Sequence, residues 1–174
     1  ENIANFYKAV TDVMSGLTYD YELIFVDDGS SDSSAMILRE IAFNDKHVKV
    51  LLLARNFGHQ TALTCGLDYA HGDAVITMDG DMQHPPALIP ELVRLWESGY
   101  DVVRTIRDST DDASWAKSFT SKYYYKLMNK MADVPIVEGG SDFRLMNSKA
   151  LGTLKRFREH GRFLRGIVGA LGYR

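Results

Sequence analysis

Residues 21–32 read YELIFVDDGSSD and residues 74–81 read AVITMDGD. In each stretch an apolar run of strand length ends abruptly in aspartate and glycine, and segments with helical periodicity lie between the two runs. Strands that are apolar throughout are typical of a parallel sheet covered by helices. The two stretches therefore predict an α/β fold, in which both acidic clusters emerge at the carboxyl edge of the sheet, where such folds bind ligands.

Strand and helix patterns alternate along the first 106 residues. Apolar side chains at spacings of three and four predict an opening helix near Ile3 to Met14. The further elements predicted here are helices ending near Phe43, over 59–70 and over about 87–96, and strands over 48–53 and about 101–106. Beyond residue 107 the pattern predicts a long helix over 115–131, a loop at 138–141, a short strand at 143–146 and two tail helices broken near Gly161.

The first predicted element is a helix, which is unusual for this architecture. A doubly wound sheet normally begins with a strand whose carboxyl end helps to form the ligand crevice. We therefore expect the natural protein to have a strand directly before Glu1.

Composition excludes several classes of protein. The chain has 174 residues, of which 45% are apolar and 25% charged, with only four prolines, so it is long enough for one core and unlike a disordered segment. Its one cysteine, Cys65, excludes an intrachain disulfide and a cysteine-based zinc site. No apolar run approaches the roughly 18 residues that cross a bilayer. No G-x-G-x-x-G follows a predicted strand, which argues against a dinucleotide oxidoreductase.

Charge is divided unevenly along the chain. Residues 149–174 carry seven basic side chains against one acidic, so the tail has a net charge of +6, while the preceding 148 residues carry −9 of the total of −3. We therefore divide the chain into an acidic domain over 1–148, expected to carry the functional site, and basic amphipathic helices over 149–174. Such helices suit an anionic lipid surface, with Ile167, Val168 and Leu171 as the apolar face; a core-packed helix with a solvated charged face is the alternative.

The acidic cluster after the second stretch has the pattern of a cation site. Asp79 and Asp81 are two residues apart, so in extended backbone both carboxylates point to the same side, and Gly80 lets a ligand approach the backbone. One or two carboxylates together with substrate phosphates are the usual ligands of Mg²⁺ or Mn²⁺. A solvated acidic turn is the alternative for this motif taken alone.

The acidic cluster after the first stretch is predicted to lie at the same edge of the sheet. A carboxylate at Asp27 or Asp28 can accept hydrogen bonds from a nucleobase or ribose, while Gly29 and Ser30 open the turn. Ser31 or Asp32 is expected to cap the following helix.

These motifs together resemble the family 2 glycosyltransferases of GT-A fold. The strings that carry the resemblance are FVDDGSSD at 25–32 and MDGDMQHPP at 78–86. The longer string ARNFGHQTALTCGLDYAHGDAVITMDGDMQHPP, at 54–86, is similar to the branch of that family that transfers sugars to polyprenyl phosphates, which includes dolichol-phosphate mannose synthases. The resemblance covers nearly the whole chain.

The resemblance implies roles on the donor side of the reaction. The residues that match nucleotide-sugar ligands are Asp27, Asp28, Gly29, Arg55, Asn56, Gly58, Asp79 and Asp81. A metal ion, Mg²⁺ or Mn²⁺, would be held by Asp81, Asp79 and Gln83. His84 stands where many relatives have an acid, and we expect it in a supporting or solvent-exposed position. Asp142 matches an acid near the transferred sugar, and we expect it to position the site rather than to act as an indispensable base.

On the acceptor side, cationic donors are expected near the metal to bind a lipid phosphate. Arg107, Lys117 and Ser121 resemble the residues that ligate the acceptor phosphate in the family. Arg162 and Arg165 resemble a segment near the donor diphosphate and the membrane. A solvated helix surface is the alternative for Lys117.

The implied activity is a metal-dependent, inverting transfer of a sugar from a nucleotide-sugar, for which we favour UDP, to undecaprenyl or another polyprenyl phosphate. The expected partners are the donor, the lipid acceptor and the membrane surface, with a homo-oligomer possible and nucleic acid not expected. We expect the full-length protein at the cytoplasmic face of the cell membrane, anchored by helices beyond residue 174.

Two other interpretations stay open on sequence alone. A phosphorelay receiver domain also has an acid pair after its first strand, and its phosphoacceptor would be Asp79. A sugar-nucleotide binding module without transferase activity would share the donor motifs.

Overall fold

The computed structural model describes residues 2–106, 140–157 and 164–174. The helices in these ranges are α1 (Ile3–Met14), α2 (Ser34–Asn44), α3 (His59–Tyr69), α4 (Ile89–Glu97), α5 (Ser148–Leu154) and α6 (Leu164–Ala170), with a 3₁₀ turn at Pro86–Leu88. The strands are β1 (Leu23–Asp27), β2 (Val48–Leu52), β3 (Ala74–Thr77), β4 (Val102–Ile106) and β5 (Gly140–Asn147). The predicted alternation of helix and strand up to residue 106 is confirmed, and the helix predicted over 115–131 lies outside the described residues.

The strands form two groups. β1 and β2 pair in parallel, from Leu23 with Val48 to Asp27 with Leu52. β5 lies between β3 and β4 and is antiparallel to both. It is eight residues long, whereas the sequence predicts a strand only at 143–146, because pairing of Gly140 with Ile106 of β4 extends the strand through polar residues. The α/β fold is confirmed, with a parallel pair in the first group and β5 as the antiparallel strand of the second.

The direction of β5 brings its first residues to the carboxyl end of β3. Thr77, the last residue of β3, is paired with Arg144. The Thr77 hydroxyl also donates a hydrogen bond to the backbone carbonyl of Asp142. The Asp142 backbone therefore lies beside the segment that carries Asp79, although 63 residues separate the two positions in the chain.

A cleft of about 1230 Å³ lies between β1 and β3 and is lined by residues of both strands and of α1 and α3. Within the described ranges, β1 pairs with β2 alone and β3 with β5 alone, so each strand presents its other edge to the cleft. The strand predicted before Glu1 stays a prediction.

The core is centred on β5, whose side chains alternate between its two faces. Phe143 and Leu145 pack with Leu92 of α4 and Val103 of β4. On the other face, Met146 belongs to a second cluster of buried side chains, whose further members are Leu67, Ala150, Leu151, Leu154, Leu164 and Val168. The second cluster joins α3, β5, α5 and α6, and its apolar contacts cross the position 148/149 at which the sequence divides the chain.

The apolar side of α6 faces this core. Val168 is buried in the second cluster, and Ile167 and Leu171 pack against it. These three side chains form the apolar face predicted for the tail, and the core rather than a free surface receives it. A contact of α6 with lipid would therefore have to come from its polar and basic side chains.

Leu145 provides a test of this packing. Its side chain is 0% exposed, whereas that of Leu88 is 41% exposed. We expect Leu145→Ala to lower the free energy of unfolding by about 2–5 kcal/mol, because it removes apolar contacts and leaves a cavity. Leu88→Ala, the control, should change it by less than about 1 kcal/mol. Urea unfolding followed by circular dichroism measures both, and equal effects would contradict the packing described here.

Candidate active site

The turn after β1 holds Asp27 through its own backbone. The Asp27 side chain is buried, and its carboxylate accepts hydrogen bonds from the backbone N–H of Ser30, at 3.4 Å, and from the Ser30 hydroxyl. Both residues also line the cleft. Asp27 thus lies at the carboxyl end of β1 with its orientation set by the turn, and its role as a ligand stays a prediction.

The glycine of this turn allows a close backbone contact with the loop between β2 and α3. Gly29 has φ +71°, a conformation that glycine adopts at little cost. A Cβ atom added there would lie 2.4 Å from the carbonyl carbon of Arg55 and 2.7 Å from the nitrogen of Asn56. The backbones of the two segments therefore touch at a point where no other residue fits.

The carboxylate of Asp28 makes the second connection between these segments. One oxygen accepts a hydrogen bond from the N–H of Phe57, at 2.7 Å, and the other from the N–H of Gly58, at 2.8 Å. Gly58 has φ +93° and is followed directly by α3. Asp28 therefore holds the loop in place, and six of the residues predicted to bind the nucleotide-sugar, those of the turn at 27–29 and of the loop at 55–58, belong to one assembly.

The loop after β3 carries the carboxylates predicted to bind a metal. Asp81 is exposed, and its carboxylate accepts a hydrogen bond of 2.9 Å from the N–H of Gln83. Met82, between them, has φ +66°, which is rare for a residue with a side chain and tightens the turn. Asp79 and Asp81 both line the cleft, at the same edge as Asp27.

His84 anchors this loop to the start of β5. Its Nδ1 accepts a hydrogen bond of 2.9 Å from the N–H of Asp79, so the proton of the neutral ring is on Nε2, which lies 2.7 Å from the hydroxyl oxygen of Ser141. The ring also stacks on Phe143, with centroids 5.3 Å apart. His84 is buried, so of the two positions expected for it, the structure shows the supporting one.

Asp142 is enclosed rather than open to the cleft. Its side chain is 1% exposed, and its Oδ1 accepts a hydrogen bond from the guanidinium of Arg144, which is buried as well. Its Oδ2 lies 3.3 Å from Nε2 of His59, and the same nitrogen is 3.8 Å from Oδ1 of Asp79. The imidazole of His59 therefore bridges the carboxylates that follow β3 and begin β5.

The structure leaves part of the predicted site undescribed. Arg107, Lys117, Ser121 and Arg162 lie outside the described residues, and for Arg165 the structure describes the backbone, in α6, but not the side chain. The roles predicted for these residues stay predictions.

Sequence reasoning missed the residues that join the acidic segments: His59, Ser141 and Arg144. An isolated histidine has no periodic pattern that would indicate its partners. Asp142 lies 83 positions from His59, and Ser141 lies 57 positions from His84. The one available signal was position, since His59 follows Gly58 at the start of a helix on the carboxyl side of β2.

The donor atoms of the cleft suit a metal that is shared with a substrate. Among the described residues, no group of three or more His, Cys, Asp or Glu side chains forms a metal site of its own. Mg²⁺ and Mn²⁺ are commonly bound by one or two carboxylates together with substrate phosphates and water. Asp79 and Asp81 fit that partial set, and the role predicted for Gln83 stays a prediction.

The single cysteine is unsuited to chemistry. Partial burial raises the pKa of the Cys65 thiol, and the nearby Asp68 raises it further. The thiol is therefore protonated at neutral pH and is not an activated nucleophile.

The fold and site describe an α/β protein with acidic loops at the carboxyl edge of its sheet, and comparisons with known proteins identify its class. The family model described as Glycosyl transferase family 2 matches residues 1–154. The chain belongs to this family. Membership confirms the resemblance to family 2 and decides against the phosphorelay receiver.

Curated relatives match the chain from end to end. It is 39% identical over 174 residues to an uncharacterized glycosyltransferase of Synechocystis sp., covering 100% of this chain and 55% of that protein. It is 38% identical over 172 residues to a bactoprenol glucosyl transferase of Shigella phage SfV, covering 99% of this chain and 56% of the relative. The chain thus spans about half the length of the curated relatives it matches.

Solved structures confirm the GT-A fold. A mannosyltransferase from Pyrobaculum calidifontis, solved with GDP-Man and Mn²⁺, matches with a TM-score of 0.59 and 19% identity, covering 99% of this chain and 50% of the other. S. aureus TarS, solved with UDP, matches with a TM-score of 0.52 and 17% identity, covering 87% of this chain and 46% of the other.

Gly29 gives a test of the turn and loop assembly. We expect Gly29→Ala to lower the free energy of unfolding by about 1–3 kcal/mol, because the methyl group meets backbone atoms and the positive φ is unfavourable for alanine. Gly152→Ala is the control, since an added Cβ there meets nothing within 4 Å. Thermal unfolding compares the two, and a stable Gly29→Ala protein would contradict the close approach to Arg55.

Proposed function

We propose that the protein to which this chain belongs transfers a sugar from a nucleotide-sugar to a polyprenyl phosphate. The observation that carries the proposal is the convergence of three acidic segments. The ends of β1 and β3 line one cleft with Asp27, Asp79 and Asp81, and the start of β5 brings Asp142 to the same edge through His59. Family membership supports the reaction class.

On the donor side, Asp27 and the assembly around Gly29 would receive the nucleoside. Asp27 is the buried acid that lines the cleft, while both oxygens of Asp28 are already engaged by the loop amides. We therefore assign the nucleoside contact to Asp27 and a positioning role to Asp28. The relatives solved with UDP and with GDP-Man do not decide the base, and we favour UDP.

A divalent cation, Mg²⁺ or Mn²⁺, would be held by Asp81 and Asp79 with Gln83 beside them. When bound, it would neutralise charge on the departing diphosphate, as cations do wherever charge develops on phosphate oxygens. Without a cation the carboxylates would repel a diphosphate, because Asp79 and Asp81 place two negative charges within three residues. Metal dependence is thus a direct consequence of the charge of this loop.

In the proposed reaction, a phosphate oxygen of the lipid attacks the anomeric carbon, and the bond from that carbon to the diphosphate breaks. A single displacement of this kind inverts the anomeric configuration. The second pKa of a phosphate monoester is about 6, so the attacking oxygen is largely ionised without a base. The burial of Asp142 in an ion pair with Arg144 agrees with a positioning role for this acid.

The lipid acceptor is proposed from the relatives named bactoprenol glucosyl transferases, among them that of Shigella phage SfV. Arg107, Lys117 and Ser121 would bind its phosphate, and the basic residues of the tail, including Arg162 and Arg165, would lie near the diphosphate and the membrane. Among the described residues, none of the helices has the length and apolar character of a membrane span. The full-length protein would work at the cytoplasmic face of the membrane.

Binding of nucleotide in the presence of metal tests this proposal. We expect UDP or UDP-glucose with Mn²⁺ to raise the melting temperature of the chain, because a ligand at 100 times its dissociation constant stabilises the fold by about 2.7 kcal/mol. A thermal-shift panel with UDP, GDP and their sugars, with and without Mn²⁺, measures this. No shift with any nucleotide would contradict the proposal, and binding by the full-length protein without transfer in membranes would favour the binding module.

Replacement of Asp81 tests the metal assignment. Asp81→Ala should abolish the part of the nucleotide shift that depends on Mn²⁺, because it removes the exposed carboxylate of the loop. Asp12→Ala is the matched control, since Asp12 is an exposed acid on α1 whose partner is Lys8. If the Mn²⁺-dependent shift survives in Asp81→Ala, Asp81 does not hold the metal.

A further inference from the structure

His59 is the polar group through which the buried acid of β5 reaches the cleft. It is the first residue of α3, its side chain is 52% exposed, and it lines the cleft. Asp142, by contrast, is 1% exposed and lies behind it, 3.3 Å from the imidazole. A ligand in the cleft would therefore meet His59 before it met Asp142.

The partners of Asp142 determine how the imidazole is oriented. A carboxylate that binds a guanidinium accepts hydrogen bonds and does not donate them, so a hydrogen bond across the 3.3 Å contact needs the proton on Nε2 of His59. In the neutral ring, Nδ1 then keeps its lone pair. Within the part of the chain that the structure describes, no hydrogen bond to Nδ1 is formed.

We infer that His59 is a further sugar-binding residue, which contacts a hydroxyl group of the transferred sugar through Nδ1 while Asp142 and Arg144 hold the ring. A hydroxyl group both donates and accepts, so it suits either protonation state of the imidazole, whereas a phosphate would suit only the charged one. The inference rests on the proposed function and deepens it. It names a residue that contacts the sugar, which is the part of the donor that the free nucleoside diphosphate lacks.

The location of the ring fits a contact with the sugar rather than with the nucleoside. His59 bridges Asp142 and Asp79, and Asp79 leads into the loop that would hold the diphosphate. Asp27, proposed to bind the nucleoside, belongs to β1 on the opposite wall of the cleft from β3. A sugar attached to the diphosphate would lie beyond it, toward the start of β5.

Two substitutions separate contact with the sugar from support of Asp142. An asparagine side chain places its amide near the position of Nδ1, whereas a glutamine side chain reaches the position of Nε2. We expect His59→Asn to retain most of the affinity for the sugar-nucleotide. His59→Gln and His59→Ala should lose about threefold to tenfold, which corresponds to one hydrogen bond.

The measurement is isothermal titration of the 174-residue chain with UDP and with UDP-glucose, each with Mn²⁺, or with GDP and GDP-mannose if wild type binds that pair. The His59 variants should bind the nucleoside diphosphate as wild type does, and only the affinity for the sugar-nucleotide should change. His47→Ala is the control and should alter neither affinity. His47 directly precedes β2, so it lies at the amino end of the strands, whereas the cleft residues Asp27 and Asp79 lie at their carboxyl ends. Melting temperatures of all variants verify that they fold.

Each outcome has one meaning. Equal loss of affinity for the nucleoside diphosphate and the sugar-nucleotide in His59→Ala would overturn the inference. His59 would then have only a structural role, through its contact with Asp142. Recovery by His59→Gln but not by His59→Asn would also overturn it, because it would show that only the hold on Asp142 matters. If wild type binds neither pair, the proposed function itself fails, and that result is separate from any difference among the variants.

Discussion

The placement of β5 between β3 and β4 is the constraint on which the rest of the molecule depends. Its backbone is paired on both edges, and Leu145, near its centre, is fully buried. The same pairing sets Asp142 beside the end of β3, where the exposed loop with Asp81 begins. Core stability and the geometry of the acidic site therefore have one origin, and a shift in the register of β5 would disturb both.

Hydrogen bonds from side chains, rather than further strands, connect the segments of the site. Asp28 holds the loop before α3, His84 holds the loop after β3, and His59 spans the gap to Asp142. Each of these contacts joins a carboxylate or imidazole to a backbone N–H or to another side chain, so the carboxylates of the edge are oriented before a ligand arrives. Such preorganisation is what the proposed binding of a charged diphosphate would require.

The prediction from sequence succeeded where the signal was local. The apolar run before Asp27 and the run before Asp79 predicted strands, and the helices between them, because burial and side-chain period act over a few residues. It was incomplete for β5, since Ser141 and Asp142 are polar and appear as loop until their pairing is known. It did not decide between the two positions expected for His84, because its stacking on Phe143 connects residues 59 positions apart.

The sequence by itself determined the class of fold and the edge of the sheet that carries the acids, and it predicted Asp27, Asp79 and Asp81 as members of the site. Strands that end in aspartate and glycine are sufficient for this, because parallel strands place their carboxyl ends together. Only the tertiary structure decided that Asp142 is buried against Arg144, and that His59 is the group between it and the cleft. The reason is physical: these contacts join segments 83 residues apart, and no local pattern specifies which distant polar side chains will share a hydrogen bond.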